Sequence, residues 1–299
     1  MKKKINTIYY LMLFLAAIIW GSSFVVVKSS VQGLPPNMLI FLRFSTACVL
    51  LSLIFIKQLK KFKKSVLIKG ILCGLFLFIG YTLQTIGIVY TTPGKNAFLT
   101  AIYCVLVPFL FWGVGKIKPD RYNIIAAVLC LAGIGFIAID GTLGINIGDL
   151  LTIISGIAFA GHIVFVAMSA RNENPILLTI VQFGAVAVFS LFTSLLTEPK
   201  INTIAFSTQV ILEVAYLAVF ATAAALLLQI IGQSKVNPST VSLIVSFEAV
   251  FGVLFSIIFF DEKITLRISI GFIFVFIAII ISETKMQFLR KKQKKIKER

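Results

Sequence analysis

Nine side chains have the types and positions to handle a solute: Trp20, Ser23, Arg43, Tyr81, Gln84, Tyr103, His162, Gln229 and Glu248. All nine fall in long apolar runs. Glu248 stands eleven residues from either end of the run 237–259, roughly 16 Å from each end at about 1.5 Å per residue. A carboxylate that deep in a membrane costs about 2.5–3.5 kcal/mol on insertion scales and needs a use. Two uses are open: a proton or cation site, or a structural hydrogen bond to a neighbouring helix. Arg43 has three: a bidentate clamp on a carboxylate-bearing solute, a counter-charge for Glu248, or an outward-snorkelling side chain. His162, the only histidine, is either a proton relay near neutral pH or a packing residue. Gln84 and Gln229 either bond a solute or act as interhelical glue worth about 0.6–2 kcal/mol. Trp20, Tyr81 and Tyr103 offer aromatic walls to apolar or cationic solutes.

Catalysis finds little support in the same residues. Hydrolysis needs a nucleophile with an oriented base, or a metal cluster. The chain has one histidine, no GxSxG, no HExxH and only two carboxylates well inside apolar runs. No Walker A pattern is present, which excludes ATP hydrolysis at motif level. Cys48, Cys73, Cys104 and Cys130 are scattered without CxxC and read as small packing hydrophobes. No metal site and no cofactor are expected, and the chain is read as not an enzyme.

The elements that must position these side chains are membrane helices. Hydrophobic residues make up 59% of 299 positions and charged ones 13%, against roughly 25% charged in soluble domains. Runs near the required length of about 20 residues place ten spans: 8–28, 36–56, 67–90, 95–115, 121–139, 147–168, 175–196, 208–231, 237–259 and 265–283. The opening run is too long for a signal-peptide core and reads as a retained first helix. With the N-terminus in the cytoplasm, 22 Lys and Arg fall inside, five fall outside and Arg43 alone lies within a span. That ratio fits positive-inside orientation, with both termini cytoplasmic and a cell (plasma or inner) membrane location. The net charge of +17 belongs to loops and tails, so nucleic acid is not an expected partner. The tail from Lys285 carries eight basic residues, read either as a topology determinant or as attraction to anionic lipid.

The chain also repeats itself. WGSSF at 20–24 parallels FAGHI at 159–163, and LRF at 42–44 parallels VQF at 181–183, both at offset 139. LQTIG at 83–87 parallels LQIIG at 228–232, and Pro93 parallels Pro238, at offset 145. Five spans per copy would make the copies enter the membrane from opposite sides, an arrangement found in secondary transporters. The expected fold class is therefore an all-α integral membrane protein of ten transmembrane helices in two inverted five-helix repeats. Residues 1–141 form the first, 142–284 the second, and 285–299 a basic cytoplasmic tail.

Here the chain resembles the ten-helix EamA-type permeases of the drug/metabolite transporter superfamily. The carrying segments are IIWGSSF at 18–24, LRF at 42–44, LQTIGIVYTTPGKNAFLTAIYCVLVP at 83–108 and FEAVFGVLFSIIFFDEKIT at 247–265. Glu248 and Glu262 match the family's two acids in the last segment. Ala249 stands where the family carries a proline, which removes the local cause of a break in helix 9, and Asp261 replaces a glycine. Pro108 is expected to kink helix 4. The resemblance implies a central cavity built by helices 1–4 and 6–9, with helices 5 and 10 peripheral. It implies export or exchange of small organic solutes such as amino acids or related metabolites, by alternating access around a midplane cavity. Expected partners are a small-molecule substrate, membrane lipids and protons as coupling ion, with the chain a monomer or homodimer. The alternatives are a channel or lipid scramblase, and an intramembrane enzyme.

Overall fold

Long apolar runs without strand alternation give helices, and the described residues of the computed structural model are helical with short connections. It describes residues 7–60, 62–115, 118–138, 146–198, 207–236 and 238–284. The basic tail 285–299 and the lysines at 2–4 lie outside them. We number the helices α1 (Thr7–Ser30), α2 (Pro36–Ile54), α3 (Lys64–Tyr90), α4 (Pro93–Thr100 and Tyr103–Gly115), α5 (Arg121–Ala138), α6 (Ile147–Ser169), α7 (Pro175–Thr197), α8 (Thr208–Gln233), α9 (Pro238–Val245 and Phe247–Phe260) and α10 (Leu266–Thr284). A single turn at Ile56–Leu59 follows α2. Eight helices, α1–α4 and α6–α9, are long and apolar enough to cross a membrane. The apolar parts of α5 and α10 are shorter, and these two helices pack along each other.

Local sequence fixes the starts. Pro36, Pro93 and Pro175 each sit in a first turn, where the missing N–H is no loss. Thr92, Asn146, Asn174 and Ser207 accept backbone N–H bonds at the N-caps of α4, α6, α7 and α8. Asp261 ends α9 in the left-handed conformation, φ 48°, at the position where the resembled family carries glycine. Because a side chain there strains against the following carbonyl, Asp261→Gly is expected to stabilise the fold by up to about 1 kcal/mol. A raised thermal unfolding midpoint in detergent checks it.

The helix pairings keep their pattern when first and second halves are exchanged. The contact of α3 with α6 is answered by α8 with α1, that of α3 with α7 by α8 with α2, and that of α1 with α9 by α6 with α4. Three pairs join a helix to its own counterpart: α2 with α7, α4 with α9 and α5 with α10. The last is close enough that a Cβ on Gly133 would lie 2.8 Å from the Gly271 carbonyl, and the converse holds at the same distance. Small residues are what permit helices to approach this closely in a membrane.

Two helices break at related places. In α4 the break falls at Ala101–Ile102, where Cys104 N–H bonds Ala101 O and Val105 N–H bonds Ile102 O, three residues back instead of four. Pro108 sits inside the second piece of α4, so the break precedes it by six residues. In α9 the break falls at Ser246, at offset 145 from Ala101. Helix 9 thus breaks even though Ala249 stands in place of the family's proline. At this break the Ser246 hydroxyl bonds Leu243 O, and Ala249 N–H turns to Ser246 O, three residues back.

Polar contacts tie helix ends into two groups. One group joins Lys28, Thr91, Lys95 and Asp149, with Glu262 holding Thr92 and Gly94. On the same face Glu198 accepts three bonds from the start of α2, and Glu213 accepts from Ser29 and Ser30. Glu213 thus ties α8 to α1. On the opposite face Lys69 pairs with Glu173 at 2.6 Å, and Asn174 bonds Gln58. The Lys69 ammonium holds the Glu173 carboxyl below the usual carboxylate range. That pair therefore contributes above the ordinary carboxylate pKa and is lost as pH falls through the depressed value.

Candidate functional site

The helix breaks deliver side chains to one central cavity. It leaves ≈ 50 Å³ for the centres of water-sized molecules, enough for several waters at about 10–15 Å³ each. Six helices line it. Trp20, Ser23 and Phe24 come from α1, Leu77, Tyr81 and Gln84 from α3, and Thr100 and Tyr103 from α4. From the second half come Phe159, His162 and Ile163 of α6, Leu226 and Gln229 of α8, and Val245 and Glu248 of α9. The first half supplies eight of these and the second half seven. At offsets 139 and 145 they fall into pairs: Trp20 with Phe159, Ser23 with His162, Phe24 with Ile163, Tyr81 with Leu226, Gln84 with Gln229, Thr100 with Val245, and Tyr103 with Glu248. Only Leu77 lacks a lining counterpart.

Eight of the nine residues singled out from sequence therefore meet at this cavity. Arg43 does not line it. It stands one layer back on α2, 1% exposed, with its guanidinium carbon 4.8 Å from the Tyr81 ring centroid and 5.5 Å from that of Phe44. Its Nε donates to Thr222 at 2.7 Å, while Nη2 has no hydrogen-bond partner. Arg43 forms no ion pair with Glu248, so of its three readings the counter-charge is not realised. Its counterpart Gln182 accepts through Oε1 from His162 Nε2 at 3.0 Å. Phe44 and its counterpart Phe183 meet edge to face at 5.4 Å behind the cavity.

Glu248 is 5% exposed and accepts one hydrogen bond, from the Tyr103 hydroxyl at 2.9 Å. These two side chains are related by the repeat offset, and each follows the break in its helix by two residues. Among the described residues the only ion pairs are Lys69–Glu173 and Lys95–Asp149, so no cation neutralises this carboxylate. Most donors around it are already engaged. Trp20 Nε1 bonds Ala221 O at 2.8 Å, Ser23 Oγ bonds Trp20 O at 2.8 Å and Gln84 Nε2 bonds Thr100 Oγ1 at 3.0 Å. Thr100 Oγ1 in turn bonds Asn96 O at 2.7 Å. Gln229 Oε1 is buried without a partner. No group of three or more His, Cys, Asp or Glu suited to a metal occurs among the described residues.

Sequence reasoning missed Thr100, Phe159 and Thr222. Phe159 could have been found as the counterpart of Trp20. Thr222 owes its place to a π-helical stretch, Leu217–Ala224, whose wide turn also directs Ala221 O at Trp20. Such turns gather at functional sites, but LAVFATAA carries no glycine or proline to announce one.

Known proteins resemble the chain in both halves. The EamA-like transporter family profile matches residues 7–139 and again 146–284. An uncharacterized transporter from Archaeoglobus fulgidus is 36% identical over 273 residues, covering 89% of this chain and 83% of that protein. The uncharacterized transporter YvbV of Bacillus subtilis is 23% identical over 291 residues, covering 95% and 94%. One crystal structure superposes with a TM-score of 0.68 at 16% identity, over 94% of this chain and 98% of the other, a likeness of fold alone.

Proposed function

Because the chain belongs to the EamA-like transporter family, we propose that this multi-pass membrane transporter is a secondary carrier, an exporter or exchanger of small organic solutes such as amino acids or related metabolites. Two inverted five-helix repeats, 1–141 and 142–284, rock about the central cavity and expose it to each side in turn. The observation that carries this reading is the shared lining: all but one of its residues have a counterpart in the other half that lines the same space. Exchange of the halves' roles then converts one access state into the other. The breaks at Ala101–Ile102 and Ser246, beside Tyr103 and Glu248, are where α4 and α9 bend during that exchange. Protons couple to the cycle through Glu248. Both termini face the cytoplasm at the plasma or inner membrane, and the chain works as a monomer or homodimer.

Counterflow tests this reading. Protein reconstituted in liposomes loaded with unlabelled solute is expected to accumulate labelled solute transiently, with saturable initial rates. Flux that is linear in concentration and shows no counterflow would instead indicate a channel or scramblase.

A further inference from the structure

A second hollow opens on the face of the termini, among the ends of four helices. It leaves ≈ 340 Å³ for the centres of water-sized molecules and shares no lining residue with the central cavity. Tyr9 lies in the first turn of α1, and Arg171 two residues past the end of α6. Ile176 lies in the first turn of α7, and Lys235 two residues past the end of α8. The ends of apolar spans are where a bundle meets lipid head groups. Ile8 and Leu11, 47% and 62% exposed, flank Tyr9, so the lipid-facing surface of α1 runs up to the hollow.

The carboxylate of this lining is neutralised and its two cations are not. Glu173 pairs with Lys69 at 2.6 Å. Asn174 donates to Gln58 and accepts from the N–H groups of Ile176 and Leu177, and the Ser234 hydroxyl donates to Ile231 O. Among the described residues the Arg171 guanidinium and the Lys235 ammonium have neither an ion pair nor a hydrogen bond, and the Tyr9 hydroxyl has no hydrogen bond. The repeat puts Gln32 and Tyr90 at the places of the other face that correspond to Arg171 and Lys235, and neither is charged.

We propose that this hollow binds a phosphate-bearing anion, with the head group of an acidic phospholipid as its natural source. The Arg171 fork bonds two phosphate oxygens, Lys235 supplies a second charge and Tyr9 donates its hydroxyl. Basic pockets between membrane helices suit such head groups, and the adjoining lipid surface favours them over soluble phosphate. Uncharged counterparts on the other face leave the site to one leaflet. The site is independent of what the central cavity carries.

The full chain in an uncharged detergent is titrated with phosphatidylglycerol, with phosphatidylcholine of the same chains and with inorganic phosphate, and its thermal unfolding midpoint is read. Phosphatidylglycerol is expected to raise the midpoint saturably, and phosphatidylcholine to leave it unchanged. Replacing both cations, Arg171→Gln with Lys235→Gln, should weaken half-saturation roughly 25-fold, about fivefold for each cation. Lys57→Gln with Lys60→Gln removes the same charge from exposed positions on the same face outside the hollow, and should leave the response as it is. A rise with inorganic phosphate that depends on Arg171 and Lys235 in the same way keeps the site and makes its source soluble. Three results overturn the site: no rise with either anion, a rise retained without Arg171 and Lys235, or equal weakening in the two double variants.

Discussion

Glu248→Gln is expected to reduce uptake driven by an imposed pH gradient to the level of empty liposomes, while expression and the thermal unfolding midpoint stay close to wild type. The substitution keeps size and an oxygen that can still accept the Tyr103 hydroxyl, now bonded at 2.9 Å. What it removes is the only carboxylate lining the cavity, hence the group that takes a proton on one face and releases it on the other. The effect should be near-complete and not graded, since the other lining groups offer no replacement. His162, the next choice by chemistry, is 2% exposed and tied to Gln182, so His162→Asn should leave pH-driven uptake largely intact. Tyr103→Phe should fall between: the carboxylate remains but loses its one hydrogen bond, and the pH profile of uptake shifts. The measurement is initial uptake of whichever solute shows counterflow, with and without the gradient. Full pH-driven uptake in Glu248→Gln would remove proton coupling through this residue.

The sequence spoke most clearly where membrane physics leaves few choices. A polar side chain in hydrocarbon must turn inward, so choosing intramembrane Gln, His, Glu and amphipathic aromatics amounted to choosing the side chains that face one another. Eight of nine duly line one space. Arg43 departs because a long side chain has reach: from α2 it crosses behind Tyr81 to Thr222, a partner no local pattern announces. Repeat offsets were equally legible, and applying them to Trp20 would have added Phe159. Backbone irregularities were not. Ala249 in place of proline took away the one local signal for a break in helix 9, yet the helix breaks at Ser246. The π-helical turns of α8 arise in a run of small apolar residues that reads as ordinary helix. Threonine misleads in the same way: its hydroxyl satisfies itself on the preceding turn, as Thr100 does on Asn96 O, and so costs too little to stand out.

Asp149→Asn is expected to open the cavity to the face away from the termini. On that face the helix ends are joined by charge. Asp149, fully buried, accepts from the Thr91 hydroxyl and pairs with Lys95 at 3.2 Å, tying α6 to α3 and α4. Glu262 accepts from Thr92 at 2.5 Å and from Gly94 N–H at 3.0 Å, tying the end of α9 to the start of α4. Lys28 of α1 caps the carbonyls of Ile88, Val89 and Thr91 at 2.7–3.1 Å. The repeat places Tyr10, Thr240 and Ala167 at the positions of the other face that correspond to Asp149, Lys95 and Lys28, and none of these is charged. Each face has one ion pair, but Lys95–Asp149 has a fully buried carboxylate whereas Lys69–Glu173 on the other face is more exposed, so the first is the harder to part. Asp149→Asn leaves Lys95, whose side chain is 23% exposed, without its partner, and a bias of about 2.7 kcal/mol toward one access state moves the equilibrium roughly 100-fold. In protein with Cys48, Cys73, Cys104 and Cys130 replaced, a cysteine introduced at Thr100 reports the shift. Its reaction with a membrane-impermeant thiol reagent added to the face away from the termini should quicken at least tenfold in Asp149→Asn. Restoring the charge as Asp149→Glu should slow it again. Unchanged labelling would show that helix packing, not this charged ring, keeps that face closed.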